Sequence, residues 1–378
     1  MLKRSIFCLV VLVANGGLAR AVPTPSFRGL GDLPGLSFYS KAYAISGDGT
    51  VVVGHSAAHS TEAFRWTEAD GMVGLGVLTG KSWSDAHGVS GNGRVVVGFS
   101  ARTTNDEEAF CWSAETGMVG LGALPGGTGE SWANDASRDG SVLAGWSSTA
   151  DGDVAVLWTR ERQILPLGDL PGGESDSRAY GISDDGLVVA GGGHSASGQE
   201  AFRWTEETGI VGLGDLPGGR FESSGFAISA DGSTVVGIAG SAAGQKAFRW
   251  TRETGMVALG DLPGGSSDSY ADGVSADGSV VVGFSHTASG RQAFIWDEVH
   301  GTRRLRDALV TECGLDLDGW ALRRAFDVSD DGTVIVGYGE NPNGDTEAFL
   351  AIIPEPAALT LLALGGLAVL KRRRDIRV

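Results

Sequence analysis

Cysteine is scarce in this chain, with three residues in 378. Cys8 lies in an N-terminal leader, and Cys111 and Cys313 occupy non-equivalent places, so the expectation is two unpaired thiols rather than a disulfide framework. Cations are scarce too: 29 Lys and Arg face 46 Asp and Glu, a formal charge of −17. Most of the basic residues that offset the acids sit at the ends, so residues 22–356 carry 21 basic and 45 acidic side chains, a balance of −24. Such a surface repels phosphate backbones, which excludes nucleic acid as a partner, while neutral glycans or divalent cations are tolerated. No apolar run reaches the roughly 20 residues of a membrane-spanning helix without taking in a charge. No helical period appears between the leader and Pro354. Hydrophobic residues nevertheless make up 42% of the chain, enough for a sizeable core and too many for disorder.

Both ends carry ordered patterns. Residues 1–21 read as a secretory signal: Lys3 and Arg4 at the start, an apolar run from Ile6 to Ala14, then the small-x-small cleavage site Ala19-Arg20-Ala21. At the other end, Pro354-Glu355-Pro356 is followed by the uncharged segment 357–370 and then Lys371-Arg372-Arg373-Arg374. Fourteen helical residues span only about 21 Å, short of a hydrocarbon core of about 30 Å, so the segment is a marginal transmembrane anchor whose basic end stays on the cytoplasmic side. This order resembles the PEP-CTERM sorting signal of Gram-negative bacteria. The resemblance implies recognition by an exosortase, cleavage near the Pro-Glu-Pro, and delivery to the cell surface or extracellular matrix after transient anchoring in the inner membrane.

What is abundant is glycine, 61 residues, and it comes with a repeat. Trp66, Trp112, Trp158, Trp204, Trp250 and Trp296 are each 46 residues apart, and Leu350 takes the seventh place. Ala-Phe-x-Trp surrounds most of them. Ser-x-(Asp/Asn)-Gly recurs from Ser46, Ser90, Ser137, Ser183, Ser229, Ser275 and Ser329. Each unit reads as four short strands: one ending at the Ser, a turn at Asp-Gly, a β-branched run such as Val280-Val281-Val282, a polar loop such as His286 to Gly290, the Ala-Phe-x-Trp strand, and a fourth such as Met256 to Asp261. The seventh unit carries an insertion of 8 residues before Ser329. Four strands in about 46 residues, seven times over, predicts an all-β, seven-bladed β-propeller over residues 22–353, with a β-helix as the alternative. Phe27 to Leu33 copies the fourth strand and Glu347 to Ile353 the third, so the N-terminal strand is expected to complete the last blade. The array resembles the extracellular HAF repeat family. It departs at the His of His-Ala-Phe, where Glu62, Glu108, Val154, Glu200, Lys246, Gln292 and Glu347 stand, so no role of that His carries over.

Chemistry-bearing motifs are few. Gly80-Lys81-Ser82 lacks the first Gly of a phosphate loop, and Gly212-x-Gly214 recurs without a βαβ unit. His55 and His59 are four apart in a loop, where that spacing aligns nothing for a metal. The repeated Asp of Ser-x-Asp-Gly raises calcium as a candidate cofactor, but a side-chain-to-backbone turn bond is the simpler reading. No catalytic constellation stands out. Variation among the units is more informative. Four residues before each Ser the side chain is always small, while the third and fifth before it vary widely: Lys41 and Tyr43, Asp85 and His87, Trp132 and Asn134, Arg178 and Tyr180, Ser224 and Phe226, Tyr270 and Asp272, Arg324 and Phe326. Shared parity puts them on one strand face, expected to line the central channel. Mixed aromatic and polar groups suit a glycan or peptide, which makes a binding or structural protein associated with extracellular polysaccharide the first reading. A secreted propeller enzyme acting on polysaccharide is the alternative.

Overall fold

The structure, a computed structural model, describes residues 23–354 apart from 36, 58 and 162. The leader with Ala19 and Ala21, and the sorting segment after Pro354 (Glu355, Pro356, residues 357–370 and Lys371 to Arg374), lie outside the described residues. Among those described, no helix is long and apolar enough to cross a membrane.

The chain is all-β, and its strands follow the repeat. In the sixth unit Gly265–Val274, Val280–Thr287, Gly290–Asp297 and Gly301–Arg304 pair in sequence order as an antiparallel meander. The other units repeat this, giving five four-stranded sheets and one of eight strands. The larger sheet is the fourth and fifth meanders joined by a single parallel bridge, Gln199 to Glu222. The seventh meander takes its outer strand from the other end of the chain: Ser26–Gly29 pairs with Thr346–Ile352. The β-branched residues and Phe sit on the faces between neighbouring sheets, where they are withdrawn from water. Phe64, Phe110, Phe202, Phe248, Phe294 and Phe349 are fully buried there. The periodic Trp residues pack against the same cores, Trp66 and Trp158 buried and Trp112, Trp204, Trp250 and Trp296 half-buried. Trp158 has a reason: its unit carries Val156 where the others have Phe, and the indole fills the vacated volume beside Gly145.

Two local expectations need correction. The loop expected from His286 to Gly290 is mostly strand, because Thr287 pairs with Gly290 and leaves a two-residue turn. The absence of helix fails at Leu305–Asp307 and Ala308–Glu312, an α-turn running into a π-turn. Leu305, Ala308, Leu309 and Leu317 bury themselves at the joint between the sixth and seventh units.

That joint is the odd one. At the other six, a buried Ser six residues before the turn Ser accepts the N–H of the preceding unit's Ala-Phe alanine. These pairs are Ala63 to Ser84, Ala109 to Ser131, Ala155 to Ser177, Ala201 to Ser223, Ala247 to Ser269 and Ala348 to Ser40, at 2.9–3.1 Å. The equivalent residue in the seventh unit is Arg323, which pairs with Glu340 instead. The insertion supplies apolar packing where the serine is missing.

Candidate binding site in the central funnel

The first strand of each unit contacts the first strand of the next, and the seventh contacts the first, so these strands ring a central space. Every one of them carries a β-bulge at the same place. In the first unit Ala42 faces Gly54 and Ala44 faces Val53, leaving Tyr43 unpaired. The same shift falls at His87, Asn134, Tyr180, Phe226, Asp272 and Phe326. The partner residue is always Gly, and the reason is steric. A Cβ on Gly54 would overlap the carbonyl oxygen of Lys41, and the same holds at the six equivalent glycines.

The bulge delivers one side chain per unit to a cavity of about 370 Å³ on the axis. All seven residues three before the turn Ser line it: Tyr43, His87, Asn134, Tyr180, Phe226, Asp272 and Phe326. Neighbours touch around the rim. Tyr43 meets Phe326 edge-on at 4.7 Å and His87 at 5.3 Å, Tyr180 meets Phe226 at 5.8 Å, and Asn134 donates to the Ala179 carbonyl at 2.8 Å. Burial pushes the Tyr43 hydroxyl well above its ordinary pKa, so it stays a neutral phenol. Asp272 is the only carboxylate among the described lining residues, and Arg324 holds it by two bonds, at 2.6 and 2.8 Å. Burial raises the Asp272 pKa and Arg324 opposes the rise.

The residues five before the Ser behave differently. Lys41 and Arg324 reach the cavity, but Asp85, Trp132, Arg178, Ser224 and Tyr270 do not line it. The expectation of one shared face fails for these five because the bulge interrupts the two-residue alternation. Asp85 sits behind His87, with His55 Nδ1 at 3.0 Å and His87 Nε2 at 3.7 Å. Burial alone would raise its pKa, but the two imidazoles outweigh it and bring it down to about 2. Trp132 stacks on Phe99 at 4.0 Å. Arg178 pairs with Asp153 and lines a separate acidic hollow with Asp151, Glu174 and Asp176. Tyr270 stacks on Phe284 at 4.6 Å and donates to Gln245. Two lining residues were missed, Arg291 and Tyr338. Tyr338 directly follows the bulge glycine Gly337, a place where the other units carry His55, Phe99, Trp146, Gly192, Ile238 and Phe284; that variation was a usable signal.

At the far end of the ring the turns are tied to one another. In each turn the Ser hydroxyl donates to the Asp or Asn side chain and accepts a backbone N–H five residues on, as at Ser46, Asp48 and Val51. The turns are then linked in a circle by seven backbone hydrogen bonds. They run from Gly47 to Gly91, Asn92 to Arg138, Arg138 to Asp184, Asp184 to Ala230, Ala230 to Ala276, Ala276 to Asp330 and Asp330 back to Gly47, at 3.0–3.1 Å. Arg138 of the third unit binds Asp184 at 2.6 Å and Asp330 of the seventh. Those two units stand across the ring, so the guanidinium bridges the channel. Gly47 leaves the space that the Asp330 carboxylate fills. Just above lie Asp135 and Asp327, each accepting the next unit's backbone N–H, from Ile182 at 3.0 Å and Ile45 at 2.9 Å. Withdrawal from solvent pushes both up to about 7. At the HAF histidine position the side chains brace the outer strand segment, where Glu62, Glu200 and Glu347 accept the N–H of Gly76, Gly214 and Gly31.

No family model and no curated protein sequence matches the chain. Among solved structures it resembles a puromycin hydrolase S511A mutant (TM-score 0.53, 13% identity, covering 82% of this chain and 51% of that one). It also resembles an oligogalacturonate lyase from Vibrio parahaemolyticus (TM-score 0.50, 11% identity, 88% and 98%). TolB from Acinetobacter baumannii aligns at TM-score 0.48 and 14% identity, over 70% of this chain and 62% of TolB. The chain thus spans under two thirds of TolB and about half of the hydrolase. At such identities the likeness concerns architecture, and the fold is a β-propeller.

Proposed function

We propose that this chain is an exported protein whose seven meanders are the blades of a seven-bladed propeller, and that it acts by binding an extracellular ligand in the central funnel. One observation carries the reading: every unit contributes its bulged, variable side chain to a single cavity, while the residues around that side chain are repeated. A cavity at the small end of the ordinary range for ligand sites, lined by aromatics with a few polar groups, suits a small ligand or the tip of a larger one. The leader at 1–21 and the ordered tail from Pro354 to Arg374 support export and exosortase sorting to the surface or matrix. A glycoside hydrolase of the usual kind works with a pair of carboxylates, and the described lining offers Asp272 alone, already paired with Arg324. The test is to screen the purified protein on an array of extracellular glycans and repeat it with the Tyr43→Ala/Phe226→Ala double variant. Loss of aromatic contacts in the funnel should weaken a hit by about tenfold or more. Hits that the double variant retains in full would place the site elsewhere.

A further inference from the structure

The funnel is cationic inside an acidic protein. Lys41 places its ammonium 4.7 Å from the Tyr338 ring and 5.3 Å from that of Tyr39. Arg291 lies 5.1 Å from the Phe284 ring. Neither has a carboxylate partner among the described residues. The one acid in the lining, Asp272, is held by Arg324 and lies within electrostatic reach of Arg291, so the three cations of the wall face a single carboxylate in a chain whose balance over residues 22–356 is −24. They are not scattered. Lys41, Arg291 and Arg324 come from the first, sixth and seventh units, which are neighbours in the closed ring, and form one cationic wall. Low-dielectric aromatic walls around such charges focus their field on the cavity. The opposite wall, with Tyr180, Phe226, Asn134 and His87, offers ring faces for sugar C–H groups and polar atoms for hydroxyls.

Resting on the binding reading above, we infer that the funnel takes the end of a carboxylate-bearing sugar chain, a uronate oligosaccharide terminus. Two features make it an end. The floor is narrowed by the circle of turns and crossed by the Arg138 bridge to Asp330, which obstructs the path of a polymer through it. The acidic exterior repels a long polyanion lying across the surface, whereas a single terminal residue can enter the local positive field.

The test is calorimetric titration of the purified protein with a uronate trisaccharide and with its carboxyl-reduced, neutral counterpart. A carboxylate meeting two cations that have no ion-pair partner should favour the uronate by about tenfold or more, and the preference should shrink as salt rises. Lys41→Met/Arg291→Met, which keeps the apolar stems, should abolish that preference. Equal binding of both sugars, or of neither, overturns the anionic ligand class. In that case a different array hit that is lost in Tyr43→Ala/Phe226→Ala would still uphold the funnel as the site. A uronate preference that survives both double variants overturns the two readings together. An acidic peptide that competes as well as the trisaccharide overturns the sugar.

Discussion

The same seven inner strands end in two different constructions. Toward the floor they turn through Ser-x-Asp-Gly, and the circle that narrows the channel is made of main-chain hydrogen bonds. Toward the mouth each strand releases one residue from its ladder, and the funnel is made of side chains that vary among the units. A ring of main-chain bonds tolerates change at x, which is Gly, Gly, Arg, Asp, Ala, Ala and Asp in turn. A funnel of side chains changes character with each substitution. The difference teaches where stability and specificity reside along one strand, and it can be pulled apart by variants a few residues from each other.

The largest effect is expected at the glycine that makes the bulge possible. In Gly237→Ala the added methyl would overlap the Ser224 carbonyl, forcing the first and second strands of the fifth unit apart. Overpacking against rigid backbone should cost about 3 kcal/mol. Phe226→Ala, half-buried on the funnel side of the same bulge, should cost about 1 kcal/mol and act on ligand instead. Urea unfolding of the two variants measures the contrast, and comparable losses would erase it.

The next effect is pH dependence of the floor. Asp135 and Asp327 have folded pKa values of about 7 against an ordinary value near 3.8. The folded state therefore holds their protons more tightly than the unfolded chain does. Their contribution is fully present below the ordinary value and is lost as pH rises through about 7. Both keep some surface open to the channel, so each is expected to account for on the order of 2 kcal/mol rather than the full shift. Stability should fall as pH rises from about 3.8 through about 7, the window those pKa values define, and Asp135→Asn/Asp327→Asn should flatten much of the slope. Asp85 runs the other way, stabilising above its ordinary pKa and losing that contribution only as pH falls toward about 2. An unaltered slope in the double variant would remove these two carboxylates from the account.

Much of this was legible in the sequence because the repeat multiplies weak signals by seven. The Trp spacing gave the period and Asp-Gly gave the turn. The small residue four before each Ser, flanked by variable ones, pointed to Tyr43 and its six counterparts. Other features had no signature of the kind a period can show. A bulge inserts one residue without altering composition, so parity wrongly grouped Asp85, Trp132, Arg178, Ser224 and Tyr270 with the lining. The turn of helix at Leu305–Glu312 is too short for a 3.6-residue pattern to emerge. The exchange of Phe for Val156 was visible, but its compensation by Trp158 depends on contacts across a joint. The Arg138 bridge joins units whose sequence separation is 192 residues, and nothing local to either end announces it.

That bridge gives the smallest and cleanest test of the contrast between floor and funnel. Arg138 is the cation set among Asp184 and Asp330, with Asp135 and Asp327 close above. It is nearly half exposed, so its pairs are partly screened by channel water and should contribute about 1 kcal/mol, as surface networks do. In Arg138→Met the carboxylates repel one another with no counter-ion. Burial already raises the Asp184 pKa against the pull of Arg138, and removing the guanidinium lets it rise further. The stability deficit of the variant should therefore be largest near pH 8 and shrink toward pH 5 as protonation relieves the repulsion. The main-chain circle stays intact, since the Arg138 N–H and carbonyl are untouched by the substitution. Ligand affinity in the funnel should consequently match that of the parent protein, measured at pH 5 where both are folded. A variant that loses ligand while keeping its stability would show that floor and funnel are one device, with the bridge setting the spacing of the strands above it.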